Sequence, residues 1–491
     1  MIAEDHWYRL DPKTIAASVA LVLAPLVPAA AVVLVSGTSP AALGTMAVLW
    51  LGIAALIAGG SALEWYFSRF RITAERFELR SGALSRSHRS IPRDRIRSVD
   101  LTAGPGHRIF RLAVVTIGTG QSGDELKLDA VPRSRAEQLR QVLLPAATGG
   151  TAEAVADDEL ARMRPAWFGY SMLTTSLVLV VWGALASAIG SFSELLGTLG
   201  AYDALAGTAR SLGLWLVLAA GFLLALVIGA AGALALSVEM WWGFRLTRGA
   251  DALRVRRGLL TTRSVSLQEA RLRGVEIAEP LVLRAARGAR LNAVATGLSE
   301  GGENQPDNKV LLPPAPRATV REVAGLVLGA PFSPALRGHP RAALHRRLVR
   351  AGAAWAVLAV TAVVLVLRGI MPGWAAVLIA VAALVLLVAL AVAGYRALGH
   401  QLDERQLVAR SGAVVRRTVA LRREGIIGWR MRQTVFQRRS GLISVAATTA
   451  AGSGMYAVSD VSTSEGLRLA EEAVPDLLTP FLEPVADSHL E

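Results

Sequence analysis

The chain of 491 residues has no cysteine. That excludes disulfides, thiolate zinc or iron–sulfur sites and a cysteine nucleophile, and it leaves no redox-compartment signal. Charge is scarce as well: Asp, Glu, Lys and Arg make up 18% of the residues, against roughly 25% in average globular chains. Lysine is nearly missing, with only Lys13, Lys127 and Lys309, so the net charge of +14 is almost all arginine. The seven histidines (His6, His88, His107, His339, His345, His400 and His489) are scattered, and no His-Glu-x-x-His pair occurs. The glycine-rich stretch Gly118–Gly123 lacks the Gly-Lys-Ser/Thr ending of a phosphate-cradling loop and reads as a hairpin tip. No enzyme, no metal site and no cofactor is expected. Nucleic-acid binding is not expected either, because the arginines are not interleaved with aromatics on which bases could stack.

What the chain does have is long apolar runs. Hydrophobic residues reach 53% and mean hydropathy is +0.44. Six stretches qualify or come close to the ~20 apolar residues that cross a bilayer: 14–36, 41–63, 166–190, 211–238, 349–367 and 373–394. They read as three hairpins, joined by short links at 36–40 and 368–372 and a longer one at 191–210. The first run is read as a span rather than a cleaved signal peptide, since it is too long and a second span follows almost at once. Of the 52 Lys and Arg residues, only Arg210 and Arg368 fall in the hairpin links. The positive-inside rule then puts both termini and the three large segments in the cytoplasm. Trp65, Tyr66, Trp241 and Trp242 suit the membrane interface. Glu64 and Glu239, at the ends of spans two and four, read as solvated or arginine-paired termini rather than a proton relay.

The segments that follow the hairpins repeat one another. They begin FRITAERFELRSG at Phe70, FRLTRGADALRVRRG at Phe244 and YRALGHQLDERQLVARSG at Tyr395. Gly82, Gly258 and Gly412 each end a strand-like run, and an aliphatic residue (Ile96, Leu272 or Ile426) follows fourteen positions later. Alternating runs broken at glycine predict hairpins of short antiparallel strands. Each unit closes on a helical pattern, with Pro132 and Pro316 at first-turn positions in two of them. The module is therefore a pair of spans followed by a small β-fold with a C-terminal helix, occurring three times.

With the Arg-Ser-Gly or Arg-Arg-Gly turns at 80–82, 256–258 and 410–412, the run Pro92–Val99 and the stretch Gln433–Val445 (QTVFQRRSGLISV), the chain resembles the bacterial pleckstrin-homology (PH) membrane proteins of the second type. Its layout is like that of the YdbT-like members. The first two copies depart from the last motif, at GPGHRIFRLAVV and LRAARGARLNAV. The resemblance implies a polytopic α-helical membrane protein of six spans, carrying three PH-like β-barrel domains each capped by a C-terminal helix. The expected divisions are 1–64 (N-terminus and pair 1), 65–145 (PH-like domain 1), 146–165 (linker), 166–240 (pair 2), 241–330 (PH-like domain 2), 331–348 (basic linker), 349–394 (pair 3) and 395–485 (PH-like domain 3). The resemblance also points to the bacterial plasma membrane, to envelope stress, and to a partner such as a shorter single-domain PH-like relative.

Arginines are the remaining candidates for function. Arg86, Arg89, Arg93, Arg95 and Arg97 follow the first glycine turn, Arg256 and Arg257 precede the second, and Arg416 and Arg417 follow the third. With Gln437, Arg438 and Arg439 they form the candidate docking set for anionic membrane lipids or a protein partner, each basic residue near a charged leaflet contributing about 1 kcal/mol. A solvated basic face is the plainer alternative, and a homo-oligomer also stays open. The leading expectation is a non-enzymatic scaffold, since tandem modules raise effective concentration. The alternative is a lipid-binding or lipid-transport protein with a path between the spans.

Overall fold

The first strand comes before the apolar helices in sequence, and the strand it pairs with comes after them. In the computed structural model, β1 (Trp7–Arg9) pairs antiparallel with β2 (Arg69–Ile72), Trp7 opposite Arg71. Between them in sequence come α1 (Lys13–Leu23) and α2 (Pro40–Phe67). The structure describes the chain apart from residues 1–5, 24–39, 83–86, 97, 119–125, 144–157, 175–180, scattered positions between 184 and 199, 251, 297–308, 333–334, 479 and 481–491. Two compact units result, residues 1–269 and 270–491.

In the N-terminal unit, β1, β2, β3 (Arg76–Ser81) and β4 (Ser87–Pro92) form one antiparallel sheet in that order. Next come β5 (Ser98–Ala103), the single-turn α3 (Pro105–Ile109), β6 (Leu112–Gly118), β7 (Leu126–Pro132) and α4 (Arg133–Leu143). The strands alternate as half-buried strands must: in β3, Phe77 and Leu79 turn inward while Arg76 and Arg80 do not. Phe70, Ile72 and Phe77 from the first sheet, Val99, Val115 and Ile117 from the second, and Ala136, Leu139 and Leu143 from α4 share one buried core. Full burial of each such side chain stabilises by about 1.5–3 kcal/mol.

The second sheet does not stop at β5. Chain order continues with β8 (Asp158–Arg162), α5 (Trp167–Met172), α6 (Ala201–Leu212), α7 (Leu214–Trp241), β9 (Arg245–Arg248), β10 (Ala252–Arg257) and β11 (Thr262–Gln268). β11 pairs with β5, giving a seven-stranded sheet of order β7-β6-β5-β11-β10-β9-β8. β8, like β1, precedes its helices and pairs with the strand that follows them. It lies in the stretch that the sequence reading treats as a linker.

The C-terminal unit repeats this construction. Its strands are β12 (Leu272–Pro280), β13 (Gly288–Ala295) and β14 (Val310–Pro316), with α8 (Leu281–Ala285) after β12 and α9 (Arg317–Leu328) after β14. The helical hairpin α10 (Arg341–Leu367) and α11 (Gly373–Arg396) leads to β15 (Gly399–Leu402), β16 (Gln406–Ser411) and β17 (Val415–Arg422). β17 pairs with β12 to make a six-stranded sheet. An isolated bridge joins Arg337, before the hairpin, to His400 after it. The last sheet holds β18 (Gly428–Arg432), β19 (Leu442–Thr448) and β20 (Met455–Ser462), with the single-turn α12 (Val435–Arg439) between the first two and α13 (Thr463–Ala473) at the end. Leu407 and Leu421 on one sheet, Val445 and Val458 on the other and Leu469 on α13 close its core.

Two expectations are corrected. Among the described residues none of the three β-folds closes into a barrel. The strands that would have to curl round to meet each other are taken by a neighbouring repeat instead, β5 by β11 and β12 by β17. The unit boundary at 269/270 accordingly falls inside the second repeat. Secondly, four helices rather than six are long and apolar enough to cross a membrane among the described residues: Ala47–Phe67, Trp215–Trp241, Arg341–Leu367 and Gly373–Arg396. Of the first expected span only Lys13–Leu23 is a described helix, and of the third Trp167–Met172 is the longest described stretch; much of the rest of both lies outside the described residues. The four helices bury little of themselves in the protein. Leu216, Phe222, Leu223, Val377, Val381 and Val385 all stand exposed, an apolar surface that a bilayer would cover.

Candidate functional site: two arginine-lined recesses

The turns that set up the site repeat three times. Gly82, Gly258 and Gly412 have φ of 101°, 110° and 104°, a backbone that side-chain-bearing residues rarely adopt. In the second copy the turn is held by the helix before it: Glu239 accepts the backbone N–H groups of Leu260 (2.8 Å) and Thr261 (2.9 Å). The glutamate that the sequence reads as a solvated or arginine-paired terminus is thus a cap on the β10–β11 hairpin.

In the N-terminal unit, a recess of about 260 Å³ lies where β5 meets β11. Arg245, Arg254, Arg256 and Arg263 line it from the sheet and Arg133 and Arg140 from α4, with Glu137 the one acid on its wall. Register explains the crowding: Arg256 stands opposite Arg245 and Arg254 opposite Thr247, so the chain places basic residues side by side on one face. Arg140 donates to Ser264 Oγ at 3.0 Å and pairs with Glu137 at 3.0 Å.

In the C-terminal unit, a recess of about 480 Å³ opens at the end of α11. One wall is apolar helix (Ala389, Val392, Ala393), and Arg284, Arg396 and Arg416 stand over it. Arg416 is fixed by Glu279 at 2.5 Å, and Arg317 also pairs with Glu279. Burial alone would raise the Glu279 carboxyl, but the two guanidiniums outweigh it and hold it below its ordinary value. Nearby Arg410 is pushed down from the usual arginine range, first by burial and then by Arg416. The exposed Leu281 and Val282 belong to the same single-turn helix as Arg284.

The other arginines and aromatics singled out from sequence fall into distinct roles. Arg93 donates to the carbonyls of Val142 (2.7 Å) and Ala74 (3.3 Å), tying the C-terminus of α4 to the first sheet. Arg423 does the same in the last repeat, to Glu472 and Ala473 at 2.7 Å. Arg257 is 3% exposed and stacks over Trp241 at 4.3 Å. Arg89, Arg95, Arg438 and Arg439 are exposed, and Arg417 faces Glu276 at 3.8 Å. Arg86 and Arg97 lie outside the described residues. Trp65 donates its indole N–H to the Leu10 carbonyl at 2.8 Å, while Tyr66 and Trp242 point outward.

Gln437 is 2% exposed and belongs to a buried polar network. Its amide donates to Ser444 Oγ (2.8 Å) and Asp460 Oδ1 (3.0 Å), and Thr434 and Gln437 form a capping box on α12. Asp460 in turn accepts from Arg346 and, at 3.4 Å, from Arg347, both at the start of α10. Beside it His339 and His400 meet at 3.1 Å, and His400 reaches Glu465 at 3.3 Å. Sequence reasoning missed the pairing of the two histidines, 61 residues apart, and Asp460 altogether.

Burial and then the neighbouring His400 push His339 down to about 4. Its stabilising contribution is therefore present above the unfolded value of about 6.5 and is lost as pH falls towards 4, approaching about 3 kcal/mol at 1.36 kcal/mol per unit. Thermal melts of the full chain at pH 7 and pH 4 should show a drop that His339→Gln makes shallower.

The left-handed backbone positions tie these parts to the sequence motif. Arg111 (φ 56°), Arg287 (φ 56°) and Gly441 (φ 64°) each follow a single-turn helix and open the next strand. The glycine of the third copy's Gln-Arg-Arg-Ser-Gly-Leu motif thus has arginine standing in for it twice, in the same conformation. The family model described as a bacterial PH domain matches residues 18–147, 194–330 and 353–473. The chain belongs to the bacterial PH-domain family. No curated protein and no solved structure matches it. As a bacterial PH-domain protein with an internal threefold repeat and long apolar helices, it fits a scaffold or lipid-interaction role in general terms. Among the described residues no three His, Asp or Glu side chains come together as a metal site.

Proposed function

We propose that this PH-domain protein is a non-catalytic scaffold anchored in the bacterial plasma membrane, whose arginine-lined recesses dock anionic lipid headgroups. The observation that carries the reading is the recess at the end of α11. It joins the apolar wall of a membrane-length helix to three guanidiniums, the chemistry a lipid phosphate and its acyl chains require together. Leu281 and Val282 add an apolar lip at the same edge. The bridge between Arg337 and His400 supports a hairpin whose two ends lie on one side of the bilayer, and the arginine-rich flanks make that side cytoplasmic.

The test is lipid binding by the full chain in neutral detergent, comparing phosphatidylglycerol with phosphatidylcholine. Preferential retention of phosphatidylglycerol is expected. Arg284→Gln with Arg396→Gln should weaken it by about 2 kcal/mol, roughly 30-fold at about 1 kcal/mol per basic residue. Equal retention of both lipids, or no effect of the double substitution, sinks the docking role.

A further inference from the structure

Each unit builds the same junction between two repeats and finishes it differently. A strand of one repeat pairs with a strand of the next, β5 with β11 and β12 with β17. The registers match: Ala103 stands opposite Thr262, and Glu279 opposite Arg416. The helices that close the two junctions start alike as well, the Arg133 N–H donating to the Arg111 carbonyl and the Arg317 N–H to the Arg287 carbonyl. Arg256 and Arg410 each stand two residues before the turn glycine, Gly258 or Gly412. Ala103 therefore takes the position of Glu279, Arg133 that of Arg317 and Arg256 that of Arg410.

In the C-terminal unit the junction carries its own anion. Glu279 is 4% exposed and pairs with Arg317 and, at 2.5 Å, with Arg416. Arg410 donates to the Ala397 carbonyl at 3.0 Å. The first repeat also satisfies its arginines from within. Arg80, in the position of Arg256, lies 4.3 Å over the Trp7 ring, and Glu78, in the position of Arg254, takes Arg71 at 2.8 Å.

In the junction of the N-terminal unit the carboxylate is replaced by the buried Ala103, while the cations remain. Ala103, Arg133, Arg245 and Arg256 all line the recess of about 260 Å³. Arg245 and Arg256 stand directly opposite each other on neighbouring strands, and like charges so placed destabilise a sheet. Glu137, the one acid on the wall, is paired with Arg140 at 3.0 Å. Arg133, Arg245 and Arg256 make no ion pair among the described residues. Thr247, Thr262 and Ser264 add hydroxyl groups to the same wall.

This donor set suits a phosphate. Guanidinium forks bind phosphate oxygens two at a time, and hydroxyls serve the oxygens that remain. With six arginines facing one acid, a single carboxylate would leave most of the charge uncompensated. Size sets the other limit. The recess lies below the roughly 300–1,000 Å³ of pockets that enclose drug-sized ligands, so it takes a phosphate or diphosphate group rather than a whole nucleotide.

We propose that the N-terminal recess binds a multiply charged phosphate, free or at the end of a lipid headgroup, which stands where Glu279 stands in the C-terminal unit. The inference rests on the docking reading above and narrows the ligand of this recess from any anionic headgroup to a phosphate of charge two or more. The phosphatidylglycerol test at Arg284 and Arg396 uses neither these residues nor this ligand, so the two can fail separately.

Inorganic pyrophosphate is the probe, titrated calorimetrically into the full chain in neutral detergent, with acetate as the comparison. Pyrophosphate should bind at least about tenfold tighter than acetate. Arg245→Gln with Arg256→Gln, both exposed, should weaken pyrophosphate at least about tenfold, since a hydrogen bond to a charged group is worth about a decade or more. Ala103→Glu supplies the missing carboxylate and should weaken pyrophosphate by at least as much, with a thermal midpoint no lower than that of the unmodified chain. A lowered midpoint would mark that variant as misfolded and leave the decision to the arginine pair. Phosphatidic acid in mixed micelles identifies the source: retention that the arginine pair abolishes makes it a lipid headgroup, and pyrophosphate binding without such retention makes it a free phosphate. Binding of neither pyrophosphate nor phosphatidic acid, acetate binding as tightly as pyrophosphate, or binding that the arginine pair leaves unchanged overturns the proposal.

Discussion

Asp460→Ala lowers the stability of the C-terminal unit by about 4 kcal/mol, within the 3–5 kcal/mol typical when one member of a buried ion pair is removed. The carboxylate is 3% exposed and serves three donors, Arg346, Arg347 and Gln437. Alanine leaves two partly buried guanidiniums and a buried amide unsatisfied. It also has to hold φ of 60°, which asparagine or aspartate tolerates better. Asp460→Asn therefore separates the two effects. It keeps the backbone and an acceptor for Gln437 but removes the charge, and should cost about half as much. Urea unfolding in detergent with both variants reads this directly. Equal loss for alanine and asparagine would assign the whole effect to the ion pair.

The second large effect is expected at Gly412. An added Cβ would collide with the carbonyl oxygen of Val415, and φ of 104° is strained for any side chain. Gly412→Ala should cost about 3 kcal/mol, combining strain with displaced backbone, and Gly258→Ala the same, where the obstacle is the carbonyl of Thr261. Gly338→Ala meets nothing within 4 Å and is the control, expected to change stability by less than about 0.5 kcal/mol. Thermal melts of the three variants rank them. A harmless Gly412→Ala would mean that the turn relaxes and that the threefold glycine signature is not conformational.

Those glycines were legible because positive φ leaves a mark on composition, and the three copies put it at the same distance from the next aliphatic residue. The terminal helices were legible from periodicity, Ala136, Leu139 and Leu143 falling on one face. What local pattern could not carry was partnership. Nothing in Asp158–Arg162 says that it pairs with a strand more than eighty residues later, and nothing in Thr262–Gln268 distinguishes pairing with β12 from pairing with β5. The expectation of closed barrels came from the family resemblance, and local pattern held nothing to correct it. Arginine had the same ambiguity. Arg93 and Arg256 read alike in sequence, yet one binds main-chain carbonyls and the other lines an open recess. Gln437 sat in the most recognisable motif, and its partner Asp460, twenty-three residues away, gave no signal.

The anchoring of helices to sheet differs between the ends of the chain. In the first repeat Ala17 on α1 packs on Leu112 and Ala130, and Ala130 adopts φ of 55°. In the last, the left-handed residue in the corresponding strand is Asp460, and the helix is held by arginines. One junction is apolar and the other ionic, so added salt should weaken the second more than the first.

The position of β1 before its helices also sets an order of events during synthesis. Trp7 leaves the ribosome long before Arg71, the residue it will pair with. At roughly 5–20 residues per second that interval is on the order of 3–13 s. Throughout it the first strand has no sheet to join, and two helices, α1 and α2, are made in between. Arg337 waits in the same way for His400. On the membrane-anchored reading proposed above, insertion would gate folding: the membrane machinery, rather than the β-sheet, would decide when each soluble layer is completed, and a delay in insertion would strand an unpaired edge at the membrane surface.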